Sequence, residues 1–176
     1  YLTYYDDVLD IYDTDPLAGQ FGYFHDILAT HNYFYAWRTW YHVFRAKNTQ
    51  TAHGLNKPVW LNESGVPIWN DYPGPTWEST SPYRATMNEA ADFVIQNAFY
   101  AAYAGATNIF HFQLYDACGN QPGGTDFPPH NGELCGLPQY PVCAGDAFGL
   151  YRNPTDAACF RQHPQPETPR PTMTAY

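Results

Sequence analysis

The stretch Lys57-Pro58-Val59-Trp60-Leu61-Asn62-Glu63-Ser64-Gly65 constrains the chain most. Lys57 to Asn62 holds a short apolar run, Val59-Trp60-Leu61, with a β-branched and an aromatic residue. A breaker opens it, and an acid, a serine and a glycine close it. Such runs read as buried strands of α/β proteins. In those folds the chemistry collects at the carboxyl ends of strands, which is where Glu63 falls. The bland role for any one Glu is a solvated strand-end acid. The pattern on either side decides between the two.

Upstream, Leu2, Tyr5, Val8, Leu9 and Tyr12 recur at helical spacing, so residues 1–13 read as an amphipathic helix. Asp15-Pro16 ends it, because a residue before proline resists the helical region. Asp26 to Thr30 reads as a buried strand running into His31-Asn32-Tyr33. A helix is expected over 34–49, with Trp37, Trp40, Tyr41 and Phe44 as its buried stripe. Downstream of Glu63, Ser81 offers an N-cap and Pro82 a first helical position. That helix is expected to run to about Ala104, burying Met87, Ala90, Ala91, Val94, Ile95, Ala98 and Phe99, and to stop at Gly105. Thr107 to Leu114 reads as a third strand and Phe148 to Tyr151 as a short one. Arg170 to Tyr176 reads as the start of another helix.

Strands alternating with helices imply parallel strands joined by helical crossovers. Three strands do not close a barrel, and a complete eight-fold α/β barrel needs about 250 residues. The expected architecture is therefore the C-terminal part of a (β/α)8 TIM barrel in one domain over residues 1–176. In it, 1–114 supply the βα units, 115–169 a long loop region and 170–176 the beginning of a final helix. The opening in mid-helix and the abrupt close point to a fragment, with the remainder of the barrel upstream as its partner. Half a barrel exposes strand edges, so residues 1–176 alone are expected to be inactive and poorly folded.

Charge narrows the partners. Only 8 Lys+Arg stand against 17 Asp+Glu, a net charge of −9. Nucleic acid and anionic membranes call for basic surface, so neither is an expected partner, and a neutral substrate fits better. No apolar run is long enough to span a bilayer. Aromatic residues make up 18% of the chain, with 16 Pro and 13 Gly, which describes long ordered loops with flat apolar faces rather than disorder. Cys118, Cys135, Cys143 and Cys159 form no Cys-x-x-Cys pair, which argues against structural zinc. Their even number in one Gly/Pro-rich region suggests two disulfides of open connectivity and an extracellular or cell-surface location. Reduced thiols are the alternative.

His31-x-Tyr33 after one strand, Lys57-Pro58-Val59-Trp60-Leu61-Asn62-Glu63-Ser64-Gly65 on the next, and an aromatic strand end near Phe112 together resemble strands six to eight of clan A glycoside hydrolases. These are (β/α)8 retaining glycosidases. The resemblance covers most of residues 1–114 and the tail Arg170-Pro171 with Ala175-Tyr176. It implies O-glycosyl hydrolysis of oligo- or polysaccharides, with Glu63 as nucleophile, His31 and Tyr33 beside it, and no cofactor. The clan's acid/base follows strand four, a segment without counterpart here, so the second carboxyl is expected upstream.

The chemistry explains the residue types. Retaining hydrolysis needs two carboxyl groups about 5–5.5 Å apart, one attacking the anomeric carbon and the other handling the proton. Donors around the nucleophile hold it ionised. His31 and Tyr33 share one strand face and are suited to that, although core packing explains a Tyr and a structural hydrogen bond a His equally well. Trp69, Tyr72 and Trp77 follow Glu63 and would wall a cleft against the flat C–H faces of a sugar; packing their own loop is the competing role. His111 and Gln113 share a parity opposite to Phe110 and Phe112. Gln113, Tyr115 and Asp116 are candidate partners of sugar hydroxyls, with loop anchoring the plainer role for Asp116. Among in-chain second carboxylates Asp26, Asp116, Asp126 and Glu133, Asp116 is best placed, and none is favoured.

Two other functions compete. A carbohydrate-binding or structural barrel would keep the rings without catalysis. A metal-dependent hydrolase would draw on His25, Asp26, His31, His111 and Asp116, but no His-x-His or His-Glu-x-x-His spacing occurs, and no metal is expected. Ser64 lacks the Gly-x-Ser-x-Gly elbow, with Asn62 in place of its first Gly.

Overall fold

A computed structural model describes residues 3–68, 71, 85–116, 148–152 and 165–176. The chain divides into two compact units, one of residues 1–64 with 96–110 and one of 65–95 with 111–176.

The first unit opens with helix α1 (Tyr4–Asp13), whose Leu9 is fully buried. A 3₁₀ turn at Gly22–Phe24 leads to strand β1 (Leu28–Tyr33), helix α2 (Ala36–Ala52) and strand β2 (Val59–Gly65). Helix α3 (Met87–Ala104), of which residues 96–104 belong to this unit, and the short strand β3 (Asn108–Ile109) follow. The strands form an open sheet in the order β1-β2-β3. β2 and β3 are parallel, with Trp60 opposite Asn108 and Leu61 opposite Ile109. The described fold is thus α/β, parallel strands alternating with helices, compatible with part of a barrel. Leu9, Val43, Val59, Leu61 and Ala101 are wholly buried in this unit.

Two helix ends show why the chain turns where it does. Gly54 has φ +70, and the Leu55 N–H reaches back to the Gln50 carbonyl at 2.7 Å, a left-handed C-terminal cap. The buried Gln50 side chain then accepts the Lys57 N–H at 2.6 Å and leads the chain into β2. At the start of α3, Thr86 and Glu89 form a reciprocal capping box. Thr86 N–H donates to Glu89 Oε2 at 2.7 Å, and Glu89 N–H to Thr86 Oγ1 at 3.2 Å. The expected cap at Ser81-Pro82 lies outside the described residues. Gly105, at φ +92, ends α3 as expected.

The buried faces of the helices differ from the expected ones. In α2 the buried positions are Ala36, Thr39, Val43, Thr49 and Gln50, whereas Trp37 is 55% and Phe44 40% exposed. α2 packs on β1 through small and polar side chains that hydrogen-bond beneath it, and the large rings are displaced from that seam. In α3 the buried face is Ala90, Phe93, Val94, Asn97 and Ala101; Ile95 and Phe99 are exposed.

The third strand is also shorter than expected. Thr107 and Phe110 N–H groups still reach the Val59 and Leu61 carbonyls, both at 2.8 Å. In the second unit the backbone of residues 113–116 pairs instead with 150–151. Leu150 N–H donates to Gln113 O and Tyr151 N–H to Leu114 O, each at 2.9 Å. The expected strand at 148–151 is there a single parallel bridge, Tyr115 to Tyr151, with an antiparallel one from Tyr151 to Pro169. Helix α4 (Pro171–Ala175) ends the chain. In the second unit Ile68, Ala85, Phe93, Phe148 and Leu150 are buried. The supposed Cys-containing loop, with Cys118, Cys135, Cys143 and Cys159, lies outside the described residues.

Candidate functional site

Glu63 sits near the carboxyl end of β2, and His31 and Tyr33 at that of β1. Alternation along β1 puts His31 and Tyr33 on one face, and both reach the same carboxylate oxygen. The Tyr33 hydroxyl donates to Glu63 Oε2 at 2.6 Å. His31 Nδ1 stands 3.3 Å from that oxygen. Glu63 is 38% and His31 50% exposed, so the cluster is open to a ligand. Among the described residues no donor is found on Oε1. Oε2 is thus approached by two side chains and Oε1 by none among the described residues.

The neighbours on either side point the other way. Asn32 and Ser64 are 3% and 1% exposed and belong to a buried set of hydrogen bonds. The sequence signal was available: two polar residues at core-facing strand positions, each beside a site residue.

The remaining candidates are placed less uniformly. Asp116 is buried, and both its oxygens are taken by Arg170, with the Gly149 N–H donating to Oδ1 at 2.8 Å. Its geometry is that of a loop anchor. Burial alone would lower the Arg170 pKa; the hydrogen bonds and charges of Asp116 and Asp71 outweigh it and raise it. Gln113 carries a buried Nε2 without a hydrogen-bond partner among the described residues, the kind of donor a ligand oxygen satisfies. Tyr115 is 40% exposed, its ring 5.6 Å from that of Tyr151. His111 is held by the Phe148 carbonyl at 3.0 Å, and burial pushes its pKa down, which keeps the ring neutral. Trp69, Tyr72 and Trp77 lie outside the described residues, as do Asp126 and Glu133.

Metal-ligand types come together elsewhere. Asp10, Asp13 and His53 place one ligand atom each within 4.8 Å of one another, and both acids are exposed. His25, Asp26, His31, His111 and Asp116 form no such group among the described residues. His25, for example, is held by the Tyr5 hydroxyl and the Tyr23 carbonyl. A cavity of about 160 Å³ takes its walls from α1, α2 and the start of β1, including Tyr5, Thr30, His42 and Arg45; Glu63 is not among them. No described helix is long and apolar enough to cross a membrane.

No protein-family model matches the sequence, and no curated protein matches it.

Proposed function

We propose that the chain belongs to a retaining glycoside hydrolase built on a (β/α)8 barrel, with Glu63 as the nucleophile. One observation carries the proposal: a phenol and an imidazole converge on one oxygen of a strand-end carboxylate, and no described residue binds the other. The Tyr33 hydrogen bond and the nearby His31 ring aim the Glu63 carboxylate. In the proposed reaction Oε1 attacks the anomeric carbon and the glycosidic bond breaks. The leaving oxygen takes a proton from a second carboxyl group, supplied from elsewhere in the natural protein. That group, now a carboxylate, then takes a proton from water as the water oxygen bonds to the anomeric carbon and the bond to Oε1 breaks, which releases the sugar and restores Glu63. Tyr33 and His31 orient the carboxylate for attack and stabilise it again when it leaves as the ester is hydrolysed.

The substrate is an oligo- or polysaccharide. Two disulfides among the four cysteines and an extracellular or cell-surface location belong to the same proposal. The test is turnover of aryl β-glycosides by the full-length natural protein, with Glu63→Gln as control. The expected result is loss of turnover on substitution by about 10³-fold or more. With Glu63→Gly, added azide or formate should restore part of it by taking the vacated place. No turnover by the intact protein, with sugar binding retained, would replace the proposal with a carbohydrate-binding barrel.

A further inference from the structure

Four buried polar side chains join the backs of the two strands that carry the site. Asn32 Nδ2 donates to the Tyr35 carbonyl at 2.9 Å and to Thr39 Oγ1 at 2.7 Å. The Thr39 hydroxyl donates to Asn97 Oδ1. Asn97 Nδ2 donates to Ser64 Oγ at 3.0 Å, and the Ser64 hydroxyl donates to the Phe110 carbonyl at 2.9 Å. The run therefore has one direction. Each hydroxyl accepts once and donates once, and it ends on a backbone carbonyl at the far side of the sheet. All four side chains are at most 3% exposed, so none has water to fall back on.

The ends of this run are the sequence neighbours of the site. Asn32 lies between His31 and Tyr33, and Ser64 follows Glu63. A strand residue and its neighbour point to opposite faces, so fixing Asn32 and Ser64 from behind fixes the side chains that project in front. A shift of either strand along the other would break the run in the buried layer and the Tyr33–Glu63 bond together.

From this geometry we infer that Thr39 and Asn97 are positioning residues for Glu63. Through Asn32 and Ser64 they hold β1 and β2 where the Tyr33 hydroxyl meets the Glu63 carboxylate. The inference rests on the glycosidase proposal for its catalytic consequence, but not for its structural one. A purely structural role would lower stability and leave the turnover of folded molecules unchanged.

The test compares Thr39→Val and Thr39→Ser in the full-length natural protein, with kcat, KM, thermal unfolding and a crystal structure of each. Thr39→Val removes the hydroxyl that both accepts and donates; Thr39→Ser keeps it. For Thr39→Val, kcat should fall about 10- to 100-fold while KM changes less than about threefold, the behaviour of a displaced catalytic group. Its Tyr33–Glu63 distance should open past hydrogen-bonding range, beyond about 3.5 Å. Thr39→Ser should keep both near their original values. A Thr39→Val protein that keeps the Tyr33–Glu63 bond would overturn the inference. So would one whose loss of kcat matches its unfolded fraction at the assay temperature. If Thr39→Val does not fold, Asn97→Asp, which keeps the size but removes the donor to Ser64, is read in the same way. If Glu63→Gln leaves turnover intact, the glycosidase proposal fails, and the measured Tyr33–Glu63 distance still decides this one.

Discussion

Tyr33 and Glu63 are 30 residues apart in sequence and are joined by a 2.6 Å hydrogen bond from phenol to carboxylate. Bonds to an ionised acceptor are shorter and about twice as strong as neutral ones. Here the donor is half-buried and the acceptor partly open, so the bond orients the carboxylate without sealing it. Tyr33→Phe keeps the ring and deletes only that bond. On the proposed reaction, kcat/KM should fall about 10- to 100-fold, corresponding to about 1.4–2.7 kcal/mol of transition-state stabilisation. Steady-state kinetics on an aryl glycoside measures it.

His31 reaches the same oxygen from farther away and from a more exposed position, at 3.3 Å and 50% exposure. Solvent screens such a contact, so its contribution is smaller. His31→Ala should cost less than tenfold in kcat/KM, roughly below the 1.4 kcal/mol that a factor of ten represents. A loss larger than that of Tyr33→Phe would make His31 the principal donor and reverse the order of the two.

The order of elements along the chain and the alternation of strand with helix were legible because each rests on local signals. Pro58 to Leu61 is apolar and short, Gly54 and Gly105 end helices, and a strand-end Glu is conspicuous beside small residues. Packing faces were not legible. Trp37 and Phe44 have the apolar area to predict a buried stripe, yet Thr39 holds the buried seam because its hydroxyl completes bonds to Asn32 and Asn97. A buried threonine and a buried asparagine lower the apolar periodicity that marks a core face. The capping box at Thr86 and Glu89 was readable from its spacing alone, but the Ser81-Pro82 signal upstream masked it. A loop-anchoring role for Asp116 was readable, but its partner was not, because Arg170 lies 54 residues away, beyond any local pattern.

That Arg170–Asp116 pair leads to a stability prediction. Arg170 is fully enclosed, donating to Asp116 Oδ1 at 2.7 Å, to the Gly149 carbonyl at 3.0 Å and to Asp71 Oδ2 at 2.7 Å. Removing one partner of a buried ion pair strands the other charge and costs about 3–5 kcal/mol. Arg170→Met should destabilise the protein by that order in denaturant unfolding. Arg170→Met with Asp116→Leu should recover much of the loss, because the pair's own charges are then both gone.

Gly149 supplies a separate check on the same corner. A methyl group there would stand 2.5 Å from the Asp116 nitrogen and 2.8 Å from its Oδ1, and would also strike the Tyr151 carbonyl. The obstructing atoms are mostly backbone, which yields little. Gly149→Ala should therefore destabilise by about 1–3 kcal/mol, the range for overpacking. Circular dichroism during thermal unfolding reads the shift, and an unchanged melting temperature would mean that this corner rearranges freely.

His53 gives the chain a pH-dependent tie between α1 and the end of α2. Its Nδ1 lies 2.6 Å from Asp13 Oδ2, and its Nε2 3.3 Å from Asp6 Oδ1 and 3.9 Å from Asp10 Oδ1. The hydrogen bond to Asp13, helped by Asp6 and the nearby charges, raises the His53 pKa above its ordinary 6.5 despite partial desolvation. A group whose pKa is raised on folding stabilises fully below its unfolded value and loses that contribution as pH rises through its folded value. Asp13 works in the opposite sense. Hydrogen bonds from Tyr23 and His53 hold it below its ordinary 3.8, so its share is present above that value and lost as pH falls through its folded one. The tie is therefore strongest between the two, from about pH 4 to about pH 6. His53→Ala should lower the melting temperature most at about pH 5 and progressively less toward about pH 9. Thermal unfolding of both proteins across that range measures it. A difference that grows toward alkaline pH would mean that His53 acts as a neutral hydrogen-bonding group rather than as a cation between acids.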